Sequence, residues 1–222
     1  MNNLKSLEDY RELRKTFHID IPKFFNFGSD VIDRWARERP DHVAMQWVSV
    51  DGTERTITFR EISLRSNQVA NALLQLGLQH GDQVLVDLTN RVEWWETMVA
   101  LTKAGIIAIP GTTLLTEKDI AYRVKSAEID GVVTDDPGAE KVDHVASDLP
   151  ELQFKILVGD KPRSGWQTYE ELVAAAESTP LQHRTLSEQP SLIYFTSGTT
   201  GPPKMVMHTH ASYGIGDQLT AR

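Results

Sequence analysis

The chain contains, at residues 58–111, the stretch TFREISLRSNQVANALLQLGLQHGDQVLVDLTNRVEWWETMVALTKAGIIAIPG, in which two helical patterns each lead into a short apolar run. Thr58 and Glu61 have the spacing of a capping box, and Gly77 is placed to end the helix that they open. One stripe of that helix carries the apolar residues Ile62, Val69, Leu73 and Leu76. Asn90 and Glu93 are predicted to open the second helix. The runs QVLVDL and IIAIPG are typical of buried strands.

The same alternation of helix and strand continues along the chain. Further helices are predicted at residues 31–40, 118–129, 139–149 and 170–178, and further strands at 131–135, 154–160 and 191–195. This order predicts an α/β fold with a mostly parallel sheet and flanking helices. A β-hairpin is predicted around Asp51-Gly52, a dipeptide that tolerates positive φ. Residues 180–190 are polar and are expected to form a surface connection. No linker interrupts residues 1–222, which are expected to form part of one domain.

Composition excludes several classes of protein. The formal net charge is −8, which argues against a general nucleic-acid binder. The chain has no cysteine, so disulfides, thiolate metal sites and thiol nucleophiles are excluded. No apolar run approaches the roughly 18 residues of a membrane span. The N-terminus has no signal-peptide pattern, and a cytoplasmic location is expected.

The loop after the strand at residues 191–195 is the candidate functional site. Its nine residues are Thr196, Ser197, Gly198, Thr199, Thr200, Gly201, Pro202, Pro203 and Lys204. The glycines permit positive φ, so successive backbone N–H groups can point into one concavity that binds phosphate oxygens. The hydroxyl groups add donors, the two prolines stiffen the exit, and Lys204 supplies a point charge suited to phosphate.

Two other interpretations of this loop compete with phosphate binding. It is not a Walker A loop, because two prolines separate Gly201 from Lys204 and Met205 stands where that motif has Ser or Thr. The remaining alternative is an ordinary hairpin loop without a ligand, since Gly, Ser, Thr and Pro are common in turns.

The nine-residue stretch resembles the signature of the adenylate-forming, AMP-dependent synthetase and ligase family. The stretches FNFGSDVIDRWA, VEWWETMVALTKAGIIAIPGT and DIAYRVKSAEIDGVV are similar to the N-terminal part of its medium-chain acyl-CoA synthetase branch. The resemblance implies the N-terminal part of the large AMP-binding domain, with the C-terminal part and the small lid domain absent after Arg222.

The resemblance implies a two-step reaction. A carboxylate, expected to be a medium-chain fatty acid, attacks the α-phosphate of ATP, and coenzyme A then displaces AMP from the acyl-AMP. ATP, Mg²⁺ and coenzyme A are therefore the expected cofactor and co-substrates, with the nine-residue loop on the β- and γ-phosphates. No catalytic or metal-binding residue is assigned, because the family's catalytic lysine and acidic Mg²⁺ ligand lie in later segments; Lys204 is not that lysine.

Three rival functions stay open: a non-catalytic nucleotide-binding fragment, a truncated remnant, and an enzyme that adenylates an aryl or amino acid. The isolated chain is expected to be inactive.

Some side chains outside the loop have competing interpretations. His208 and His210, two residues apart on a predicted strand, would share one face and could suit a metal, but no third ligand is evident. Trp94 and Trp95 are expected to pack a helix on the sheet and not to form a ligand platform. Asp135-Asp136 is expected to form a turn after a strand.

Overall fold

The computed structural model of the protein describes residues 6–197 and 201–216. Its helices are α1 (Leu7–Thr16), α2 (Asp33–Glu38), α3 (Phe59–Leu76), α4 (Val92–Ala104), α5 (Glu117–Ala127), α6 (Asp136–Val145), α7 (Tyr169–Ala175) and α8 (His210–Gly214). A π-helical turn, Phe27–Ile32, runs directly into α2, and a 3₁₀ turn, Ala146–Asp148, follows α6.

The strands form two sheets. They are β1 (Val43–Val48), β2 (Glu54–Thr58), β3 (Gln83–Asp87), β4 (Ile107–Pro110), β5 (Gly131–Thr134), β6 (Phe154–Leu157), β7 (Gln167–Thr168), β8 (Pro190–Thr196) and β9 (Lys204–Thr209). The large sheet has the order β7-β6-β5-β3-β4-β8-β9, and only the β8–β9 pair is antiparallel. The predicted α/β fold with a mostly parallel sheet is therefore confirmed.

The sheet is buried on both faces because successive residues of its strands face opposite helical layers. Val84 and Val86 of β3 pack into a core with α3, α4 and α7, while Leu85 between them packs into a second core with α5 and α6. Such two-sided burial explains the continuous apolar runs in the sequence.

The helix ends that the sequence predicted correctly are set by capping residues and glycines close to them in the chain. Thr58 and Glu61 form the expected capping box of α3, in which the Glu61 amide donates to Thr58 Oγ1 at 3.2 Å. Gly77 ends α3 with φ +118°, a conformation that costs little only for glycine. The predicted hairpin is also present, since β1 and β2 pair antiparallel and Gly52 has φ +85°.

Several predicted details are wrong. Helix α4 begins one residue after Arg91, which occupies the N-cap position, so Asn90 does not cap it. Helix α6 begins at Asp136, earlier than predicted, because Pro137 is favourable in the first turn of a helix. Asp135 occupies its N-cap position, so the two aspartates open a helix and do not form a turn.

The connection at residues 180–190 is not simply a surface segment. Thr185 and Ser187 are buried, and Thr185 Oγ1 donates to the Phe25 carbonyl at 2.8 Å. The Ser187 amide donates to the Lys23 carbonyl at 3.1 Å. This segment therefore ties the N-terminal part of the chain to the start of β8.

None of the helices in the described ranges has the length and apolar content needed to cross a bilayer.

Candidate functional site

The candidate site lies at the carboxyl edge of the large sheet. Strand β4 lies on one side of β3 and β5 on the other, so the chain reverses direction across the sheet at β3. Crevices at such reversals, outside the carboxyl ends of parallel strands, are the usual ligand sites of open α/β sheets. Strand β8 is parallel to β4, so the nine-residue loop begins at this same edge.

The ends of β8 and β9 close the base of the nine-residue loop. Thr196 pairs with Lys204 in the antiparallel ladder, and Thr196 Oγ1 donates to the Lys204 carbonyl at 3.3 Å. Gly201 has φ +100°, the left-handed conformation that the sequence led us to expect of a glycine here. Gly198, Thr199 and Thr200 lie outside the described residues.

The polar side chains at the base of the loop are accessible. Thr196, Ser197 and Lys204 are exposed, and Pro203 is half-buried. Lys204 forms no ion pair with a carboxylate of the residues that the structure describes. Its ammonium group is therefore available to an anionic ligand.

Asp87, at the end of β3, is a residue of this edge that the sequence reasoning missed. It is 2% exposed, and its Oδ1 atom has no hydrogen-bond partner among the described residues. Burial raises the pKa of Asp87 to about 6; Lys141 and Arg123 oppose the shift, and Asp135 adds to it. The available signal was an acidic residue that ends an otherwise apolar strand.

Asp135, which follows β5, is bonded to the loop that follows β3. Its Oδ2 atom accepts hydrogen bonds from the amide of Thr89 at 3.3 Å and from Thr89 Oγ1 at 2.9 Å. Asp87 is level with Thr134, the last residue of β5. A Cβ atom on Gly111, just after β4, would lie 3.2 Å from Asp87 Cβ, which is a tight contact, so the end of β4 packs closely against Asp87. The ends of β3, β4 and β5 thus form one polar rim.

His208 and His210 do not form the pair on one strand that the sequence suggested. Strand β9 ends at Thr209, and His210 opens α8. His210 is 3% exposed, and its pKa is lowered to about 4 by burial and then by the nearby His80 and His183. Within residues 6–197 and 201–216, no group of three or more His, Asp and Glu side chains is placed to hold a metal ion.

The two tryptophans of α4 have different environments. Trp94 packs against the core beneath α4, as expected, whereas Trp95 is 48% exposed. Their rings meet edge to face, with centroids 4.7 Å apart. Both line a cavity of about 270 Å³ beside the loop that follows β3. The packing prediction is therefore correct for Trp94 and wrong for Trp95.

Comparison with protein families identifies the chain. The model of the AMP-binding enzyme family matches residues 32–218, which include the whole large sheet and the nine-residue loop. The chain belongs to the AMP-binding enzyme family. The resemblance seen in the sequence is thereby confirmed.

Two acyl-coenzyme A synthetases are similar over nearly the whole chain. It is 39% identical to mouse mitochondrial acyl-coenzyme A synthetase ACSM3 over 98% of its length, and 42% identical to human mitochondrial ACSM5 over 91%. It spans only 39% and 36% of those two proteins. Both relatives are named as mitochondrial, so the expected cytoplasmic location is contradicted.

Solved structures of AMP-binding enzymes have the same fold. The anthranilate CoA ligase AuaEII, in complex with anthranoyl-AMP, superposes with a TM-score of 0.79 at 26% identity and covers 90% of this chain. The acyl-CoA synthetase of Brucella canis superposes with a TM-score of 0.80 at 22% identity and covers 91%. This chain covers 38% of each of those structures.

Proposed function

We propose that this chain supplies the ATP-phosphate-binding part of an AMP-forming acyl-CoA synthetase. The observation that carries the proposal is the loop at the carboxyl edge of the sheet, closed by the Thr196–Lys204 pair and bearing an exposed lysine that has no ion pair with the described carboxylates. The proposed phosphate-binding residues are Thr196, Ser197, Gly198, Thr199, Thr200, Gly201, Pro202, Pro203 and Lys204. Residues 1–222 would form the N-terminal part of a larger AMP-binding domain.

The proposed reaction has two steps. The substrate carboxylate attacks the α-phosphorus of ATP, the bond to the bridging oxygen breaks, and pyrophosphate leaves with that electron pair. The thiol of coenzyme A then attacks the acyl carbonyl and expels AMP, with loss of the thiol proton. In the first step negative charge accumulates on the departing pyrophosphate, where preorganised N–H groups, hydroxyls and Lys204 would stabilise it.

The described residues include no assigned ligand for the metal that such a reaction uses. They contain no cluster of acidic or imidazole side chains suited to a metal ion, so we assign no Mg²⁺ ligand and derive no step through it. Residues that bind adenine, ribose and coenzyme A are likewise not assigned.

The proposed substrate is a medium-chain fatty acid. Support comes from the medium-chain branch that the FNF and EWW stretches resemble, and from the acyl-CoA synthetases at 39% and 42% identity. An aryl acid is the second candidate, because the structural relative at 26% identity is an anthranilate CoA ligase. The mitochondrial names of the relatives favour a mitochondrial location.

Titration calorimetry with MgATP tests the proposed phosphate loop. We expect binding that Lys204→Ala weakens about tenfold to a hundredfold, the usual effect of losing a charged hydrogen bond. Lys125→Ala is the matched control. Lys125 is also an exposed lysine, but it lies in the last turn of α5, near the amino edge of the sheet, whereas the nine-residue loop begins at the carboxyl edge. Absence of ATP binding, or equal losses in both variants, would contradict the proposal.

A turnover assay separates the enzyme from its rivals. Because the chain spans less than two fifths of its relatives, we expect the 222-residue protein alone to bind ATP but not to release pyrophosphate with butyrate through octanoate. Robust release of pyrophosphate by the 222-residue protein alone would contradict that expectation. If a complementary C-terminal polypeptide restores turnover, a panel of fatty, aryl and amino acids decides the substrate class; if it does not, the non-catalytic or remnant interpretation is favoured.

A further inference from the structure

One side chain outside the nine-residue loop is bonded directly to it. The hydroxyl of Tyr122, in α5, donates a hydrogen bond of 2.9 Å to the carbonyl oxygen of Pro203. The two residues are 81 positions apart in the chain. The contact therefore links the exit of the loop to a helix on the face of the sheet.

Pro203 lies outside the paired residues of β8 and β9. The Thr196–Lys204 pair is the last one between β8 and β9, so Pro203 lies just beyond the ladder. Proline also has no backbone N–H, and its carbonyl is the only backbone group it can use for hydrogen bonding. The Tyr122 hydroxyl satisfies that carbonyl.

Tyr122 is itself held firmly. Helix α5 begins with a complete capping box between Thr116 and Asp119. The Tyr122 and Phe195 rings pack edge to face, with their centroids 6.1 Å apart. The Arg123 guanidinium lies 5.0 Å from the centroid of the Phe195 ring. Phe195 is the residue before Thr196, so α5 contacts both the entry and the exit of the loop.

We propose that Tyr122 is a positioning residue of the phosphate loop, which fixes the Pro203 carbonyl and thereby the direction in which Lys204 leaves the loop. The inference rests on the proposed function only for the identity of the ligand. Tyr122 is bonded to the loop at Pro203, so in this proposal it acts through the placement of Lys204. Rigid placement matters because a charged group held in position loses less entropy when it binds.

The test compares Tyr122→Phe with Tyr169→Phe in the full 222-residue chain. Each variant removes one hydroxyl from a hydrogen bond of 2.9 Å, but Tyr169 bonds to Glu96 and follows β7, at the opposite edge of the sheet from β9. Two readouts are needed: the affinity for MgATP, and hydrogen exchange without nucleotide at the backbone amides of Gly201, Lys204 and Met205, which are the residues between 201 and 205 that carry an amide hydrogen.

We expect Tyr122→Phe to accelerate exchange at residues 201–205 and to weaken MgATP binding about threefold to tenfold, with neither change in Tyr169→Phe. Unchanged ATP affinity in Tyr122→Phe, or an equal loss in Tyr169→Phe, would overturn the proposal. If the parent binds no ATP, the proposed function fails while the exchange data still decide the contact: unchanged exchange at residues 201–205 overturns it.

Discussion

Two lysines of this protein show opposite ways of carrying a positive charge. Lys103, in α4, is 1% exposed, and its Nζ atom lies 2.6 Å from Asp33 Oδ1 and 2.7 Å from Asn67 Oδ1. Lys204, at the exit of the loop, is exposed and forms no ion pair with the described carboxylates. A buried charge is stable only when it is paired and hydrogen-bonded, whereas an exposed one keeps its solvation until a ligand arrives.

The buried ion pair between Lys103 and Asp33 has a structural role. Burial lowers the pKa of Lys103, and the charge of Asp33 and its hydrogen bond oppose that shift. Asp33 lies at the start of α2, and its Oδ1 atom also accepts a hydrogen bond from Ser63 Oγ of α3 at 2.6 Å. The cluster therefore joins α2, α3 and α4.

The largest expected effect comes from breaking the buried pair. Lys103→Met should lower the free energy of unfolding by about 3–5 kcal/mol, because Asp33 then stays buried without its counter-charge. Urea denaturation measures this loss. Adding Asp33→Leu should recover most of the stability, since replacing a whole buried ion pair by apolar groups is often neutral. No recovery in the double variant would contradict this account.

Asp87 provides the next largest effect, because it is buried like Lys103 but has one carboxylate oxygen without a hydrogen-bond partner among the described residues. Its folded-state pKa of about 6 lies above the ordinary value of 3.8. Between pH 3.8 and about pH 6 the Asp87 carboxyl group is therefore more fully protonated in the folded state than in the unfolded state. The free energy of unfolding should therefore fall as pH rises from about 4 to about 6, by at most about 3 kcal/mol.

The Asp87→Asn variant should remove that part of the pH dependence, since asparagine does not titrate. Denaturation curves at several pH values between 4 and 7 measure it. Asp160→Asn, at an exposed position beyond β6, is the control and should leave the slope as in the parent. Parallel pH profiles for Asp87→Asn and the parent would refute the assignment.

The difference between the lysines also explains what the sequence could predict. The sheet and its helices were predictable because capping boxes at Thr58 and Thr116 and apolar runs such as QVLVD act over short distances. The two-residue strand β7 was not, because a strand this short has no periodic pattern and forms only by pairing with β6. The extent of α6 was missed because Pro137 and Gly138 resemble a turn in sequence.

The site was predictable only where its residues are contiguous. The nine-residue loop is one run of sequence, and its position at the carboxyl edge followed from the strand before it. Tyr122 could not be recognised, and Asp87 could be noticed only as an acidic residue that ends an apolar strand. Their relation to the site depends on partners 47 or more positions away: Asp87 is level with Thr134, and Tyr122 bonds to Pro203. Such contacts are set by the order of strands in the sheet.

A smaller effect is expected from the backbone of the loop. Gly201 has φ +100°, and a Cβ atom there would meet no atom of the described residues within 4 Å. Gly201→Ala therefore tests conformation without a steric clash, and should cost the loop about 1–2 kcal/mol of strain, which ATP binding would report as an affinity loss of about tenfold. Gly52→Ala, also at positive φ with open space around it, is the control in the distant hairpin and should leave ATP affinity unchanged.

The smallest effect should come from Lys204 itself, and it completes the contrast with Lys103. Lys204→Ala removes an exposed side chain that has no ion pair with the described carboxylates, so the free energy of unfolding should change by less than about 0.5 kcal/mol. The same variant is expected to weaken ATP binding strongly. Thermal unfolding without nucleotide measures the first quantity. Unfolding at a fixed, excess concentration of MgATP measures the second, because bound ligand stabilises the folded state by an amount that rises with the logarithm of its concentration divided by its Kd. A Lys204→Ala protein destabilised as much as Lys103→Met would show that Lys204 supports the fold and is not held free for a ligand.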